Sequence, residues 1–377
     1  MPRELPAGRF VIASHAPMMT DESSIQLPRE PQRILLIKPS SIGDVVHAIP
    51  VWRVLHKRWP GAKISWLVAP TCANLIEGLD ELELILFERK RLGKAWKSRE
   101  AMKELRAFQR SLRDRQVDLV VDLQGLLRSG WFAWCTRAPA RVGFANAREM
   151  GWMFYTHRVS IYTMEEHAIL RNMKLAAALG CDPNDIGFEF PITEDDREAG
   201  RRLVPGEEPF ALICPGANWP SKRWPVERFA ELPRELKGRL GLRTFVAGGP
   251  DDVALGKQIP DATSICGQTT LRQLAAVMER ATIIVTNDSG PMHIAAGLGR
   301  PLVCIFGPTN PVRTGPFRQE ASVVRVELDC SPCYRRDCAD CRCLQRIDSS
   351  RVLAAVESQL HHRPTPDKLS DAWVDGR

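Results

Sequence analysis

The sequence predicts an α/β protein of two nucleotide-binding-type domains that face each other across a cleft. A β-branched apolar run at 283–286 breaks at Asn287-Asp288-Ser289-Gly290 and leads into a helical pattern. A second junction of this kind, Lys38-Pro39-Ser40-Ser41-Ile42-Gly43-Asp44-Val45, follows an apolar run at 34–37. Alternating strands and helices are typical of parallel sheets. The free N–H groups at the start of each helix suit a phosphate or diphosphate.

Length and composition agree with two soluble domains. The chain has 377 residues, of which 44% are hydrophobic and 26% charged, and each half can bury a core of its own. No uninterrupted run of 18 apolar residues predicts a transmembrane helix, and residues 1–30 lack the apolar core of a signal peptide. We therefore expect a cytoplasmic protein, with no cofactor required and a monomeric state.

The first half alternates strand and helix after a Pro-rich leader at 1–31 that we expect to be poorly ordered. Residues 32–190 form the predicted first domain, in which 141–144 is expected to be an edge strand. The predicted strands are 34–37, 63–68, 84–87, 117–122 and 141–144, and the predicted helices are 44–58, 96–113, one from about Gly125, and 166–179.

The alternation restarts after a polar connection at 191–208, which itself contains a short helical pattern. Residues 209–346 form the predicted second domain, including a Cys-rich segment at 330–343. A helix within 347–362 is expected to pack back across the first domain, and 363–377 form a tail. The strands predicted here are 210–214, 242–247, 282–286 and 301–306, and the helices are 225–236, 270–278, 289–297 and 349–361.

Positive charge is concentrated in one segment. The net charge is +7, and residues 89–115 hold 11 Lys or Arg against 3 Asp or Glu. A solvated helix face is the ordinary interpretation, and a surface for an anionic membrane or glycolipid is the alternative. No recognised nucleic-acid module accompanies the charge, so we expect no nucleic-acid partner.

Five of the 11 cysteines cluster near the end of the second domain, at Cys330, Cys333, Cys338, Cys341 and Cys343. Two Cys-x-x-Cys pairs suggest structural zinc held by the first four, but only four residues separate the pairs. Reduced thiols or a labile local crosslink are the alternatives in a cytoplasmic protein.

Asp44 is the candidate general base. It stands at a helix start, where a carboxylate also serves as a cap. Gly43 allows close approach of a ligand, and the carboxyl edge of a parallel sheet is where ligands bind, so Asp44 could take a proton from a hydroxyl there. Ser41 from the same loop, with Gln124 and Arg128 after the strand at 117–122, are candidate contacts to that hydroxyl-bearing molecule.

The second half supplies the candidate phosphate contacts. Lys222 and Arg223 precede a helix N-terminus, where a cation is unfavourable unless an anion is bound. The loop and helix start at Ser289, Gly290 and Met292 would offer N–H groups to the same anion. Asp288 is expected to receive ribose or sugar hydroxyls, and His293 lies one turn into the helix, facing either the cleft or the core.

These segments together resemble glycosyltransferase family 9, the lipopolysaccharide heptosyltransferases. The resemblance runs from about Arg33 to His361, and Cys330-Ser331-Pro332-Cys333 is similar to a segment of the second-heptose type. It implies a GT-B architecture of two Rossmann-like domains, with the acceptor on the first and the nucleotide sugar on the second. Where some first-heptose enzymes have paired Thr residues, this chain has Ala217 and Asn218, and Asn218 is included among the implied donor contacts.

The resemblance also implies the activity: metal-independent, inverting transfer of heptose from ADP-L-glycero-D-manno-heptose to the inner core of lipopolysaccharide. Asp44 then matches the catalytic base, Lys222 the diphosphate contact, and Asp288, Ser289, Gly290 and His293 the donor-binding loop. The implied location is the inner face of the inner membrane. The residues leave other readings open. These are transfer of another nucleotide sugar, a nucleotide-sugar epimerase or isomerase, and a non-catalytic nucleotide- or glycan-binding protein. A Gly-x-Gly-x-x-Gly loop is missing after 34–37, which disfavours a dinucleotide enzyme.

Overall fold

The computed structural model describes residues 24–88, 98–161, 163 and 165–361, together with the backbone of Met18 and Met19. Most of the predicted leader, the basic residues 89–97 and the tail lie outside the described residues. The end of the leader packs on the protein: Ile25 is buried and its N–H donates to Ala178 O at 2.7 Å. Among the described residues, no helix is long and apolar enough to cross a membrane.

The first domain contains a parallel sheet in the order β1-β7-β6-β5-β2-β3-β4. Its central strands are almost fully buried because helices cover both faces, which explains their continuous apolar runs. The strands are β1 (Met18–Met19), β2 (Arg33–Ile37), β3 (Lys63–Val68), β4 (Leu82–Leu86), β5 (Leu119–Asp122), β6 (Ala140–Phe144) and β7 (His157–Val159). The helices are α1 (Ile42–Val46), α2 (Ile49–Arg58), α3 (Pro70–Ala73), α4 (Arg99–Asp114), α5 (Leu127–Cys135) and α6 (Ala168–Ala178).

The second domain contains a parallel sheet in the order β10-β9-β8-β11-β12-β13. Its strands are β8 (Phe210–Cys214), β9 (Arg243–Val246), β10 (Thr263–Ser264), β11 (Ile283–Asn287), β12 (Leu302–Ile305) and β13 (Val323–Val324). The helices, with the one that precedes β8, are α7 (Glu194–Leu203), α8 (Val226–Leu240), α9 (Val253–Gly256), α10 (Leu271–Arg280), α11 (Gly290–Gly297), α12 (Pro311–Thr314), α13 (Arg342–Gln345) and α14 (Ser349–His361).

Both sheets reverse their strand order at the position where the sequence places its chemistry. Apart from the edge strand β1, the chain enters the two sheets near their middle, at β2 and at β8, builds outward on one side, and then crosses to the other side at β5 and at β11. The crevice at such a reversal, beyond the carboxyl ends of the strands, is where open α/β sheets bind ligands. The loops after β2 and β5 therefore meet on one side of the cleft, and those after β8 and β11 on the other.

Two predictions about individual elements were wrong. The helix predicted at 44–58 is two helices, because Pro50 lies in the first turn of α2 and cannot donate a continuing helical hydrogen bond. The strand β6 is not at an edge, since β7 pairs beside it. The short helix predicted within the connection is present as α7, and it packs on α10 of the second domain.

The predicted packing partner of the final helix was also wrong. The helix α14 packs against α8 and β12 of the second domain instead of crossing to the first. Its buried residues Val352, Leu353 and Val356 join the core beside Val303 and Ile305. The limits of the helix, 349–361, were predicted correctly, but its partners are α8 and β12 of the second domain.

Candidate active site

A cleft of about 430 Å³ lies between the domains, within the range of small-molecule sites. The first domain contributes the loop at 41–43, and the second contributes the loops after β8, β9 and β11. The predicted site residues that line it are Ser41, Gly43, Asn218, Lys222, Asp288, Ser289, Gly290 and His293.

Asp44 is held at the first-domain side by three hydrogen-bond or ion-pair contacts. Its Oδ2 accepts the Ser41 N–H at 2.8 Å and the Ser41 hydroxyl at 3.1 Å. Its Oδ1 lies 3.2 Å from Lys38 Nζ, and the side chain keeps 41% of its surface exposed. Asp44 is thus both a helix cap and a solvent-accessible carboxylate next to Gly43, although it is not itself among the described residues that line the cleft.

Burial and the neighbouring positive charge shift the pKa of Asp44 in opposite directions. Desolvation raises the pKa of Asp44, but the Lys38 ammonium and the Ser41 hydrogen bonds outweigh it, and the net pKa lies below the ordinary value. Lys38 is itself buried and also donates to Leu123 O at 2.9 Å. Asp44 is therefore ionised at neutral pH and available to accept a proton.

Lys222 is oriented by a buried carboxylate. Its Nζ lies 2.6 Å from Asp288 Oδ2 and 4.8 Å from the ring centroid of Trp219. The same Asp288 oxygen accepts the Thr309 hydroxyl. The Asp288 side chain is 3% exposed and that of Lys222 is 17% exposed, so the ammonium can reach the cleft while Asp288 fixes its position.

The segments that carry Lys222 and Asp288 are joined by Asn287. Its Oδ1 accepts the Trp224 N–H at 3.1 Å, and its Nδ2 donates to Pro215 O at 2.7 Å. The loop after β8 and the end of β11 are therefore locked together. The sequence places Asn287 in the turn but indicates no such role for it.

The helix α11 presents its N-terminus to the cleft. Ser289 precedes it, and in the described structure the Ser289 side chain makes no cap hydrogen bond to the helix. The helix dipole and the first N–H groups at this end suit a diphosphate. Met292 was wrongly predicted as a contact: it is fully buried in the core and its N–H donates to Ser289 O at 3.1 Å.

The two domains touch directly beside these groups. A Cβ added to Gly43 would lie 2.3 Å from His293 Cδ2, and one added to Gly290 would lie 2.9 Å from Ile42 Cβ. Both glycines therefore permit the close approach of α1 to α11. The His293 side chain lines the cleft and also lies beside Gly43 of the first domain.

Histidines at the domain interface form a cluster that sequence reasoning did not find. His47 Nε2 lies 2.9 Å from His293 Nδ1, and the His167 ring packs edge-on against His47 with centroids 5.2 Å apart. Burial is the main cause that lowers the pKa of all three rings. The only sequence signal was the position of His47 one turn after Asp44.

The remaining predicted contacts lie apart from the cleft or at its rim. Gln124 and Arg128 are not among the described residues that line it. The Gln124 N–H donates to Asp122 Oδ1 at 2.9 Å, and Arg128 lies exposed over the Phe87 ring at 5.9 Å. Asn218 is exposed at the rim. Roles for Gln124 and Arg128 on the acceptor side stay predictions.

The cysteine cluster is held in part by contacts between its own members. Cys341 N–H points to Cys338 Sγ at 3.4 Å, and the Cys341 thiol donates to Cys338 O at 3.0 Å. Within the described ranges, no group of three or more His, Cys, Asp or Glu side chains is arranged to hold a metal ion. All 11 cysteines are free thiols in the structure.

Comparison with known proteins agrees with this geometry. The sequence profile of glycosyltransferase family 9 (heptosyltransferase) matches residues 105–342. Lipopolysaccharide heptosyltransferase 1 of Salmonella typhimurium is 28% identical over 299 residues, covering 76% of this chain and 91% of that protein.

Two solved structures from E. coli have similar folds. ADP-heptose lps heptosyltransferase II is 27% identical with a TM-score of 0.69, covering 87% of this chain and 98% of that one. The heptosyltransferase WaaC with ADP is 25% identical with a TM-score of 0.70, covering 87% and 99%. These similarities confirm the predicted GT-B architecture. Because the profile match extends over more than half of the chain, the protein belongs to glycosyltransferase family 9.

Proposed function

We propose that this enzyme transfers heptose from ADP-L-glycero-D-manno-heptose to the inner core of lipopolysaccharide, with inversion at the anomeric carbon. The observation that carries the proposal is a carboxylate adjacent to the first-domain wall of the cleft, combined with a cation in its second-domain wall. An ionised carboxylate, Asp44, stands on the first domain, and a fixed ammonium, Lys222, with the α11 N-terminus, stands on the second.

The acceptor side supplies the proton acceptor. In this proposal Asp44 removes the proton from the acceptor hydroxyl as that oxygen attacks the anomeric carbon from the face opposite the diphosphate. The new C–O bond forms as the bond to the diphosphate oxygen breaks. The exposure of Asp44 and the Lys38 contact that keeps it ionised support this role.

The donor side neutralises the leaving group. Lys222 Nζ and the N–H groups at Ser289 and Gly290 would stabilise the charge that develops on ADP. Asp288 and Thr309 would hold the ammonium at its position, so we assign Asp288 to positioning Lys222 in place of binding sugar hydroxyls. These groups would supply the positive charge with no metal required.

The acceptor is proposed to be an anionic glycolipid at a membrane surface. The helix α4 supports this, because Lys103, Arg106, Arg110 and Arg113 are all exposed and lie three or four residues apart on one face. Leu112 on the opposite side is buried in the first-domain core. An exposed basic stripe of this kind suits an anionic surface.

A donor screen tests the proposal. The purified enzyme would be given an inner-core acceptor with ADP-heptose, ADP-glucose, or UDP- and GDP-sugars, and both ADP release and product mass would be measured. We expect an acceptor mass increase of one heptose with ADP-heptose alone. An isomerised sugar formed without acceptor would indicate an epimerase, and binding without any product would indicate a non-catalytic protein. Either result would overturn the proposal.

The screen determines the step in core assembly by using two acceptors. The named heptosyltransferases 1 and II match this chain at 28% and 27% identity, so identity does not separate the two steps. The Cys330-Ser331-Pro332-Cys333 segment favours the second. We expect turnover with an acceptor that already carries one heptose and little with an acceptor that carries none.

A further inference from the structure

A hydrogen bond between two buried histidines links the domains beside the cleft. His47 follows α1 in the first domain, and His293 lies in α11 of the second. His47 Nε2 and His293 Nδ1 are 2.9 Å apart, with the ring planes at 88°. The two residues are 4% and 8% exposed, so water does not easily replace either partner.

The hydrogen bond couples the tautomers of the two imidazole rings. Burial lowers the pKa of His293 to about 4 and that of His47 well below its ordinary value. Both rings are therefore neutral at pH 7, and each carries its proton on one nitrogen only. A single N···N contact between neutral rings requires one donor and one acceptor, so the tautomer of His47 sets that of His293.

The ligand proposed for the cleft favours one of the two arrangements. His293 lines the cleft, and its Nε2 lies on the Gly43 side, 2.6 Å from where a Gly43 Cβ would be. A diphosphate only accepts hydrogen bonds, so it would require a proton on Nε2, and a proton on Nε2 leaves Nδ1 as the acceptor from His47. The charged or titratable groups that act on this pair are Asp44, Asp288, Lys222, His167, Lys38 and Arg171.

His47 is fixed within the first domain. Its backbone oxygen accepts Asn172 Nδ2 at 3.1 Å, and the His167 ring packs against it with centroids 5.2 Å apart. His167 Nε2 in turn lies 3.0 Å from Gly315 O in the second domain. The His47 ring is thus held from both sides at a defined orientation.

We propose that His47 is a positioning residue whose Nε2–H donates to His293 Nδ1 and thereby holds His293 as the tautomer with its Nε2–H directed into the cleft. That N–H would donate a hydrogen bond to the bound nucleotide sugar. The inference rests on the proposed donor role of His293. It adds that the donor site is completed by a side chain of the acceptor domain.

Nitrogen NMR of the full-length protein tests the tautomer directly. In protein with 15N-labelled histidine, His293 should have a protonated Nε2 and an unprotonated Nδ1, with resonances assigned by loss in His293→Gln. This readout needs no substrate, so it is independent of whether heptose is transferred. Wild-type His293 protonated at Nδ1 would overturn the proposal.

Two substitutions of His47 supply the functional test. The amide of His47→Gln can place a donor near the position of Nε2, whereas His47→Phe keeps a ring but cannot donate. We expect His47→Phe to lower kcat/KM for the donor by about tenfold and His47→Gln to restore it to within about threefold. If His47→Phe and His47→Gln both fold and have equal kcat/KM for the donor, the proposal is contradicted. If His47→Phe fails to fold, the wild-type NMR spectrum still decides the question.

Discussion

Lys222 owes its position to Asp288, since both the Lys222 ammonium and the Thr309 hydroxyl contact one Asp288 oxygen. Asp44 has a similar arrangement, with Ser41 on one oxygen and Lys38 on the other. In each case the group proposed to act on substrate is held by residues that are buried or belong to the same loop. The sequence identified Asp44 and Lys222 because each stands at a strand–loop–helix junction. Thr309 gave no comparable signal, and Lys38 belongs to the same junction as Asp44, but the sequence did not indicate that these two residues hold Asp288 and Asp44.

Replacing Lys222 with Ala should weaken ADP binding by about 1.5–3 kcal/mol, the range for a hydrogen bond to a charged group, or roughly 10- to 150-fold in Kd. Calorimetric titration of ADP, with and without EDTA, measures this. The control Lys237→Ala removes an exposed ammonium on α8 and should bind like wild type. An unchanged Kd for Lys222→Ala would remove Lys222 from the donor site, and loss of wild-type binding in EDTA would contradict metal-free binding.

At the scale of elements, α4 is amphipathic in a way that explains both its attachment and its exposed charge. Phe108 packs near Phe87 and Phe132, with ring centroids 5.9 and 5.3 Å apart, and Leu112 is fully buried. The opposite side carries the basic stripe of Lys103, Arg106, Arg110 and Arg113. Substitutions on the stripe should therefore leave folding largely unaffected.

The double variant Arg106→Glu/Arg110→Glu should lose most association with anionic liposomes, because attraction to anionic lipids amounts to about 1 kcal/mol per basic residue. Wild-type association should also fall as salt rises. Co-sedimentation with anionic and neutral liposomes measures both effects. Arg201→Glu/Arg202→Glu on α7, exposed or half-buried residues of the second domain, is the matched control. Equal binding to both kinds of liposome would rule out the proposed surface.

Strands longer than three residues were predicted almost completely, because buried parallel strands are continuous apolar runs. The strands β3 and β8 match their predicted limits, 63–68 and 210–214. The strands β1, β7, β10 and β13 were missed, since two or three residues carry no periodicity. Hydrophobic periodicity predicts which face of α14 is buried but not which surface covers it, so its place on the second domain could not be read from sequence.

At the scale of the whole molecule, the two domains meet through neutral histidines. His47 at the end of α1 and His293 in α11 are 246 residues apart in sequence, so their contact exists only once both domains have folded and docked. No pattern in either half indicates it. The cleft itself could be predicted because its residues follow strand ends, whereas the histidine contact depends on how the domains sit together.

Burial of neutral histidines predicts a loss of stability in mild acid. The pKa values of His47, His157, His167 and His293 lie below the free-imidazole value of 6.5, with burial as the main cause. Between about pH 5 and 6.5 the unfolded chain binds protons that the native state does not, so the free energy of unfolding falls as pH falls. Each histidine contributes at most about 1.4 kcal/mol per pH unit.

Urea denaturation at several pH values between 5.2 and 7.5 measures this slope. Above about pH 7 these histidines should add no pH dependence to the free energy of unfolding. Below about pH 7 the free energy of unfolding should decline as the pH falls. The variant His47→Gln/His167→Gln should decline less steeply, because two of the groups are removed. A free energy of unfolding that stays constant or rises on acidification to pH 5.2 would contradict the neutral cluster.

The central claim is that Asp44 is the base and not only a helix cap, and one comparison of two variants tests it. Asp196 is a matched control: its Oδ2 accepts the Thr193 N–H at 3.1 Å and hydroxyl at 2.8 Å and pairs with Arg272 at 3.0 Å, away from the acceptor side of the cleft. Asp44→Asn and Asp196→Asn should therefore lose similar, small amounts of stability as caps.

The decisive measurement is turnover of ADP-heptose by these two variants, alongside a melting curve and an ADP titration for each. We expect Asp44→Asn to lose about 10²- to 10⁴-fold in turnover, the usual share of general-base catalysis, with ADP affinity near wild type. Asp196→Asn should retain near-wild-type turnover. Near-wild-type turnover by Asp44→Asn would leave Asp44 as a cap alone and contradict the account.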